Sequence, residues 1–199
     1  MKKLILASQS PRREMLLKQI GVNFETHPSN IDENMTEIIG PEDYVRCIAE
    51  KKALSVKEHL YSGGHNFFVV LAADTIVVLE GVILGKPADE SHAFEMLSGL
   101  SGKWHEVMTG VSVMDGDENR KLTHVETTRV KIRDLTSDEI WRYIKTREPL
   151  DKAGAYGIQG IGALLVEKIE GCYYNVVGLP LYSVSVMLSQ FGIKTVLDK

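Results

Sequence analysis

The stretch Phe67-Phe68-Val69-Val70-Leu71-Ala72-Ala73-Asp74-Thr75 decides how the rest of the chain is read. Seven apolar residues in a row, rich in β-branched and aromatic members, predict a strand buried on both faces. Such strands belong to sheets covered by helices on each side. The run stops at Asp74-Thr75, so the pair is expected where the strand ends. In open α/β sheets the carboxyl edge is where ligands bind, and a carboxylate there can hold a metal or deprotonate a water. An Asp that merely caps a turn reads equally well at this point.

Working outward, residues 4–7 form a short apolar run that predicts another buried strand. Ser8-Gln9-Ser10 makes a polar turn, Pro11 suits a first helical turn, and residues 12–20 continue the helix to a stop at Gly21. Residues 24–27 suggest a second strand. A second helix opens at Pro41, with Tyr44, Val45, Ile48, Ala49, Leu54 and Val56 on its apolar side, and ends at Ser62-Gly63-Gly64. After Thr75, residues 76–79 and 82–84 flank Glu80-Gly81, a two-residue hairpin turn. A third helix spans residues 90–100, and residues 104–114 and 121–133 read as a long antiparallel pair. Thr136 and Glu139 form a capping box before a helix over 140–145. A glycine-rich loop over 154–162, a strand over 164–169 and a helix over 180–191 complete the chain. Alternating strands and helices predict an α/β fold with a mixed sheet.

Composition excludes several function classes. The 199 residues are 44% hydrophobic and 25% charged, as in an ordinary globular chain. No apolar stretch approaches the roughly 20 residues of a membrane span. The short apolar run after Met1-Lys2-Lys3 is no signal-peptide core, so a cytoplasmic protein is expected. With 27 acids against 23 bases and net charge −4, nucleic-acid binding is disfavoured. Cys47 and Cys172 give neither a disulfide framework nor a C-x-x-C motif. His105-Glu106 begins like a zinc-protease motif, but Thr109 stands where the second His should be. Residues 81–87, Gly-Val-Ile-Leu-Gly-Lys-Pro, have one spacer too few for a P-loop and Pro where Ser or Thr should hold magnesium. In residues 157–162, Gly-Ile-Gln-Gly-Ile-Gly, the dinucleotide spacing runs backwards and precedes a strand.

What remains is a set of phosphate- and metal-ready groups. The Ser8–Arg13 turn presents a helix start, two hydroxyls and the guanidinium forks of Arg12 and Arg13, all suited to an anion; a solvated helix start is the bland alternative. Asp32-Glu33 supplies hard oxygen ligands. Lys51-Lys52 and Lys86 could neutralise phosphate as point charges, although a lysine pair on a helix also reads as a solvated face. Trp104, Tyr173 and Tyr174 read as packing rather than as base-stacking platforms.

In order along the chain, these stretches resemble the Maf family of nucleoside triphosphate pyrophosphatases. The matching segments are residues 6–13, 31–33, 72–77, 84–87, 97–102 with His105, 109–111, 148–162 and 173–180. The resemblance implies an elongated central mixed sheet flanked by helices, in two lobes with a cleft, similar to the inosine triphosphate pyrophosphatases. It implies a single domain over residues 1–199 that cleaves nucleoside triphosphates between the α and β phosphates. Residue by residue, it makes Asp74 the general base and a metal ligand with Glu33. Lys52 and Lys86 become phosphate ligands, beside the Ser8 and Arg13 that the helix start already offers to an anion, and Arg12, Thr75 and Gln159 set base choice. The Arg, Thr and Gln at those three positions are the pattern of the branch that prefers dTTP and UTP. A divalent cation, Mg²⁺ or Mn²⁺, is the expected cofactor and a homodimer the expected assembly. Gln159 carries an acceptor and two donors, enough to read a pyrimidine's carbonyl and imide edge. Two other readings stay open: hydrolysis of non-canonical purine triphosphates, and a regulatory binder in septum formation.

Overall fold

A computed structural model describes residues 2–33 and 40–198. Among the described residues, seven strands form one mixed sheet: β1 (Lys3–Leu6), β2 (Phe24–Thr26), β3 (Phe68–Leu79), β4 (Val82–Leu84), β5 (Trp104–Asp115), β6 (Lys121–Ile132) and β7 (Val166–Glu170). Their order is β2-β1-β3-β5-β6-β7, with β4 paired to β3. Strand β1 runs parallel to both β2 and β3, whereas β4 is antiparallel to β3 and β7 to β6. The helices are α1 (Pro11–Gln19), α2 (Pro41–Ser62), α3 (Glu90–Leu100), α4 (Ser137–Lys145), α5 (Tyr173–Val177) and α6 (Leu181–Ser189). The α/β class and the mixed sheet expected from the sequence are both present.

The chain divides into two compact units. Unit 1 comprises Met1–Asp74, Thr109–Glu126 and Gly178–Lys199; unit 2 comprises Thr75–Met108 and Thr127–Val177. In unit 1, one face of α2 is buried through Val45, Ile48, Ala49, Lys52, Ala53, Val56 and Leu60, a stripe at helical spacing. Ala53, Val56 and Leu60 pack with Phe68, Val70 and Ala72 of β3, Ile5 of β1 and Ala7 just after it. Strand side chains alternate faces with period two. The set 68, 70, 72 therefore continues to Asp74 on the α2 side of the strand. Gly110 of β5 lets the sheet approach α2 closely: a Cβ there would lie 2.3 Å from the Val45 carbonyl oxygen. In unit 2, α3 and α4 cover Val77, Val107, Val130 and Ile132 through Leu97, Leu100, Ile140 and Ile144. The same core takes in Ala155 and Tyr156 of the glycine-rich segment.

Two expectations need correction. Strand β3 does not stop at Asp74-Thr75 but runs on to Leu79. Asp is a poor strand former. Here Ile76, Val77 and Val78 resume the β-branched run, and the carboxylate gains an ion pair, so the ladder is not broken. The short helix α5 was not foreseen, because Tyr-Tyr-Asn-Val-Val carries no helical signal. It is held from outside itself. The buried Asn175 amide donates to the Val107 carbonyl at 2.9 Å and to Thr128 Oγ1 at 3.0 Å. Local signals fared better. Glu80 and Gly81 both have positive φ, 51° and 81°, the type I′ geometry whose twist suits a tight hairpin. The capping box closes both ways, with Thr136 Oγ1 accepting from the Glu139 N–H and Glu139 Oε2 accepting from the Thr136 N–H.

Candidate active site

In unit 1, Lys52 separates two carboxylates. Its ammonium lies 2.8 Å from Asp74 Oδ1 and 2.8 Å from Glu33 Oε1. The Lys52 and Asp74 side chains are only 10% and 11% exposed, while Glu33 is 56% exposed and closes the cluster from the solvent side. Lys51, its neighbour, is exposed. The helical phase that buries position 52 turns position 51 outward, so the two readings of the lysine pair apply to one residue each. Tyr44 donates from its hydroxyl to the Glu33 backbone carbonyl at 3.1 Å. Burial, then Asp74 and Glu33, push that phenol above its usual value. A buried ion pair contributes little net stability, because desolvation offsets the attraction.

Beside this pair in the sequence of unit 1, the turn from β1 into α1 is built around Ser8. Ser8 is buried, and its Oγ accepts from the Ser10 N–H and from Arg13 Nη1, each at 3.2 Å. Arg13 Nε donates to the Gly178 carbonyl at 2.9 Å, so the guanidinium is fixed at both ends. Burial lowers the Arg13 pKa while Asp74 opposes that shift, and an arginine remains charged through such changes. Arg12 is half-buried.

Unit 2 carries Thr75, Lys86 and Gln159. Thr75 is half-buried in the middle of β3, and Lys86 is exposed in the segment after β4. Gln159 opens the 3-10 turn Gly160–Leu164 as its N-cap, with an extended backbone and no capping bond from its side chain. The free N–H groups of that turn do not await a phosphate. Glu148 Oε2 accepts from the Ile161 N–H and Oε1 from the Gly162 N–H, both at 2.9 Å. Nearby, buried His105 bonds through Nε2 to the Tyr156 hydroxyl at 2.7 Å. Burial pushes His105 down to about 4, so it is neutral at pH 7. Trp104 is a packing residue, with the Arg129 guanidinium 4.7 Å above its ring.

With both sets of residues placed, kinship can be assessed. Residues 3–191 match the family model for Maf-like proteins. The chain belongs to the Maf family. A Caldicellulosiruptor bescii protein named dTTP/UTP pyrophosphatase is 54% identical over 192 residues, 96% of each chain. An Acetivibrio thermocellus protein of the same name is 51% identical over 195 residues, 97% of each chain. A solved Mycobacterium abscessus structure, described as a nucleoside-triphosphatase / dITP/XTP pyrophosphatase, aligns with 65% of this chain at 13% identity. The alignment covers 72% of that chain, with a TM-score of 0.39.

The donor set of this Maf chain fits a hard divalent cation. Asp74 and Glu33 offer carboxylate oxygens, the ligand type Mg²⁺ and Mn²⁺ take, and each spends one oxygen on Lys52 while carrying a second. Two carboxylates are too few for a closed protein cage, and among the described residues no group of three or more His, Cys, Asp or Glu gathers as a metal site. That arrangement suits a cation that arrives with substrate phosphates as its remaining ligands. Two residues of consequence escaped the sequence reading. Tyr44 had only its place on the apolar side of α2 as a signal. Glu148 lies 13 and 14 residues from the N–H groups it holds. The one hint was a carboxylate shortly before a run of glycines.

Proposed function

We propose that this chain is a nucleoside triphosphate pyrophosphatase that hydrolyses dTTP and UTP to the nucleoside monophosphate and pyrophosphate. The observation that carries the reading is the buried Asp74 carboxylate, held by Lys52 beside Glu33. The full-length kinship with proteins named dTTP/UTP pyrophosphatase supports the substrate class. In this reading Asp74 accepts the proton of a water whose oxygen attacks the α-phosphorus, and the bridging oxygen leaves with pyrophosphate. Positioned proton transfer of this kind is worth about 10²–10⁴ in rate. Lys52 keeps the carboxylate oriented and, with Ser8, Arg13 and Lys86, binds phosphate oxygens; Arg12, Thr75 and Gln159 choose the base. Asp74 and Glu33 would hold a divalent cation, Mg²⁺ or Mn²⁺, which when bound neutralises phosphate charge and polarises the reacting bond.

The chain contains no helix, among the described residues, long and apolar enough to cross a membrane. We place it in the cytoplasm, as one catalytic domain over residues 1–199 that works as a homodimer without nucleic-acid or membrane partners. The test is pyrophosphate release from dTTP, UTP, CTP, GTP, ITP and XTP, with Mg²⁺, Mn²⁺ or EDTA. Turnover should be fastest on dTTP and UTP and vanish in EDTA. Faster release from ITP or XTP would overturn the pyrimidine assignment, and full turnover in EDTA would overturn the metal.

A further inference from the structure

Glu148 occupies the N-terminal end of a short turn in the glycine-rich segment. The 3-10 turn Gly160–Leu164 presents its first N–H groups, and a side chain from the preceding segment occupies them. Besides the Ile161 and Gly162 N–H bonds at 2.9 Å, Glu148 Oε1 accepts the Tyr143 hydroxyl at 3.0 Å. That hydroxyl in turn accepts the Gly157 N–H at 3.3 Å. The backbone is therefore fixed two residues before Gln159 and two residues after it. Two glycines leave room for this arrangement. A Cβ on Gly160, whose φ is +68°, would lie 2.6 Å from Glu148 Oε2. On Gly162 it would lie 2.1 Å from the Gly157 carbonyl oxygen and 2.6 Å from the Tyr143 hydroxyl.

We infer that Glu148 is a positioning residue for base discrimination: its carboxylate, relayed through Tyr143, sets the backbone from which Gln159 reaches the base. The inference rests on the proposed reading that Gln159 contacts the base. Distinguishing O4 of uracil from the amino group of cytosine asks one amide to present an acceptor or donor at about 2.7–3.2 Å with good alignment. A shift of the backbone by an ångström loses that discrimination while leaving phosphate binding intact. The carboxylate suits the task because it stays ionised. Burial raises its pKa, but the Gly162 and Ile161 N–H groups, Tyr143 and Lys152 outweigh burial and hold it below the usual range.

The experiment compares Glu148→Gln, Tyr143→Phe and Gln159→Ala in the full chain, with kcat and KM for UTP, dTTP, CTP and GTP and a melting temperature for each. Glu148→Gln keeps the size but turns one acceptor into a donor facing an N–H. It should fold, lose about tenfold in kcat/KM on UTP and dTTP, and lose little on CTP and GTP. Tyr143→Phe removes only the relay, so it should fold and lower the UTP/CTP ratio by a smaller factor. An equal loss on all four substrates, or an unchanged UTP/CTP ratio in both variants while Gln159→Ala collapses it, would overturn the positioning role and leave base reading by Gln159 standing. If Glu148→Gln does not fold, Tyr143→Phe decides alone. If Gln159→Ala itself leaves the ratio unchanged, base reading falls and this inference with it.

Discussion

The Lys52 cluster of unit 1 and the Glu148 and His105 pairs of unit 2 are held by opposite means. The first sets charge against charge: Lys52 faces Asp74 and Glu33, each at 2.8 Å. The others set polar side chains against the backbone and against neutral partners: half-buried Glu148 on two N–H groups, buried His105 on Tyr156. An ion cluster can exchange a proton or admit a cation without unfolding, because its partners are side chains. A loop pinned through its own backbone cannot change without losing shape. The difference matches the division of labour proposed above, with reaction assigned to the charges and choice to the shape.

The largest effect should come from unit 1. Asp74→Asn keeps the size of the side chain and removes its charge, so kcat should fall by ~10²–10⁴ on every base alike. Steady-state rates on UTP and GTP check this, with circular dichroism to show an intact fold. A loss confined to pyrimidines would merge the two roles and break the contrast.

Next comes the neutral histidine of unit 2. Its pKa is pushed down from 6.5 to about 4 by burial, so between those values the unfolded chain binds a proton that the folded one refuses. Folding stability should therefore fall as pH drops from about 6.5 to about 4, by about 3 kcal/mol from this group. Urea titrations at both ends of that window, on the wild type and His105→Gln, measure it. The variant should lose most of the slope; identical slopes would place the acid sensitivity elsewhere.

The smallest effect tests choice alone. Gln159→Ala should cost UTP and dTTP about tenfold in kcat/KM and CTP less, since only the first two share the O2/N3–H/O4 edge. Equal losses on UTP, dTTP, CTP and GTP would move Gln159 into the phosphate machinery and sharpen unit 2 into a second catalytic region.

What could be read from the sequence follows from how far each determinant lies along the chain. The Glu80-Gly81 turn and the Thr136/Glu139 box are complete within four residues, and both form as expected. Lys52 was half legible: spacing from Val45, Ile48 and Ala49 puts position 52 on the buried stripe, but nothing local names its partners. The continuation of β3 through Asp74 was hidden, because the residue that makes a carboxylate acceptable there lies 22 positions earlier. The same holds for α5, which owes its turn to Val107 and Thr128, and for Glu148. Candidate site residues came through resemblance, whereas the contacts that hold them in place had to be seen.

Gly110 gives the site a particular inheritance. Its missing side chain lets a strand backbone rest on a helix backbone at Val45, where a methyl carbon would come within 2.3 Å of a carbonyl oxygen. Neither backbone atom can rotate away, so an alanine must push α2 outward. Val45 and Lys52 lie seven residues apart, two turns along one helix face, so the displacement is carried to the ammonium that both carboxylates share. In the proposed reading, one methyl group at an uncharged position would thus be enough to disturb the reaction. Any side chain larger than hydrogen meets the same carbonyl, so relatives that keep this packing should carry glycine there.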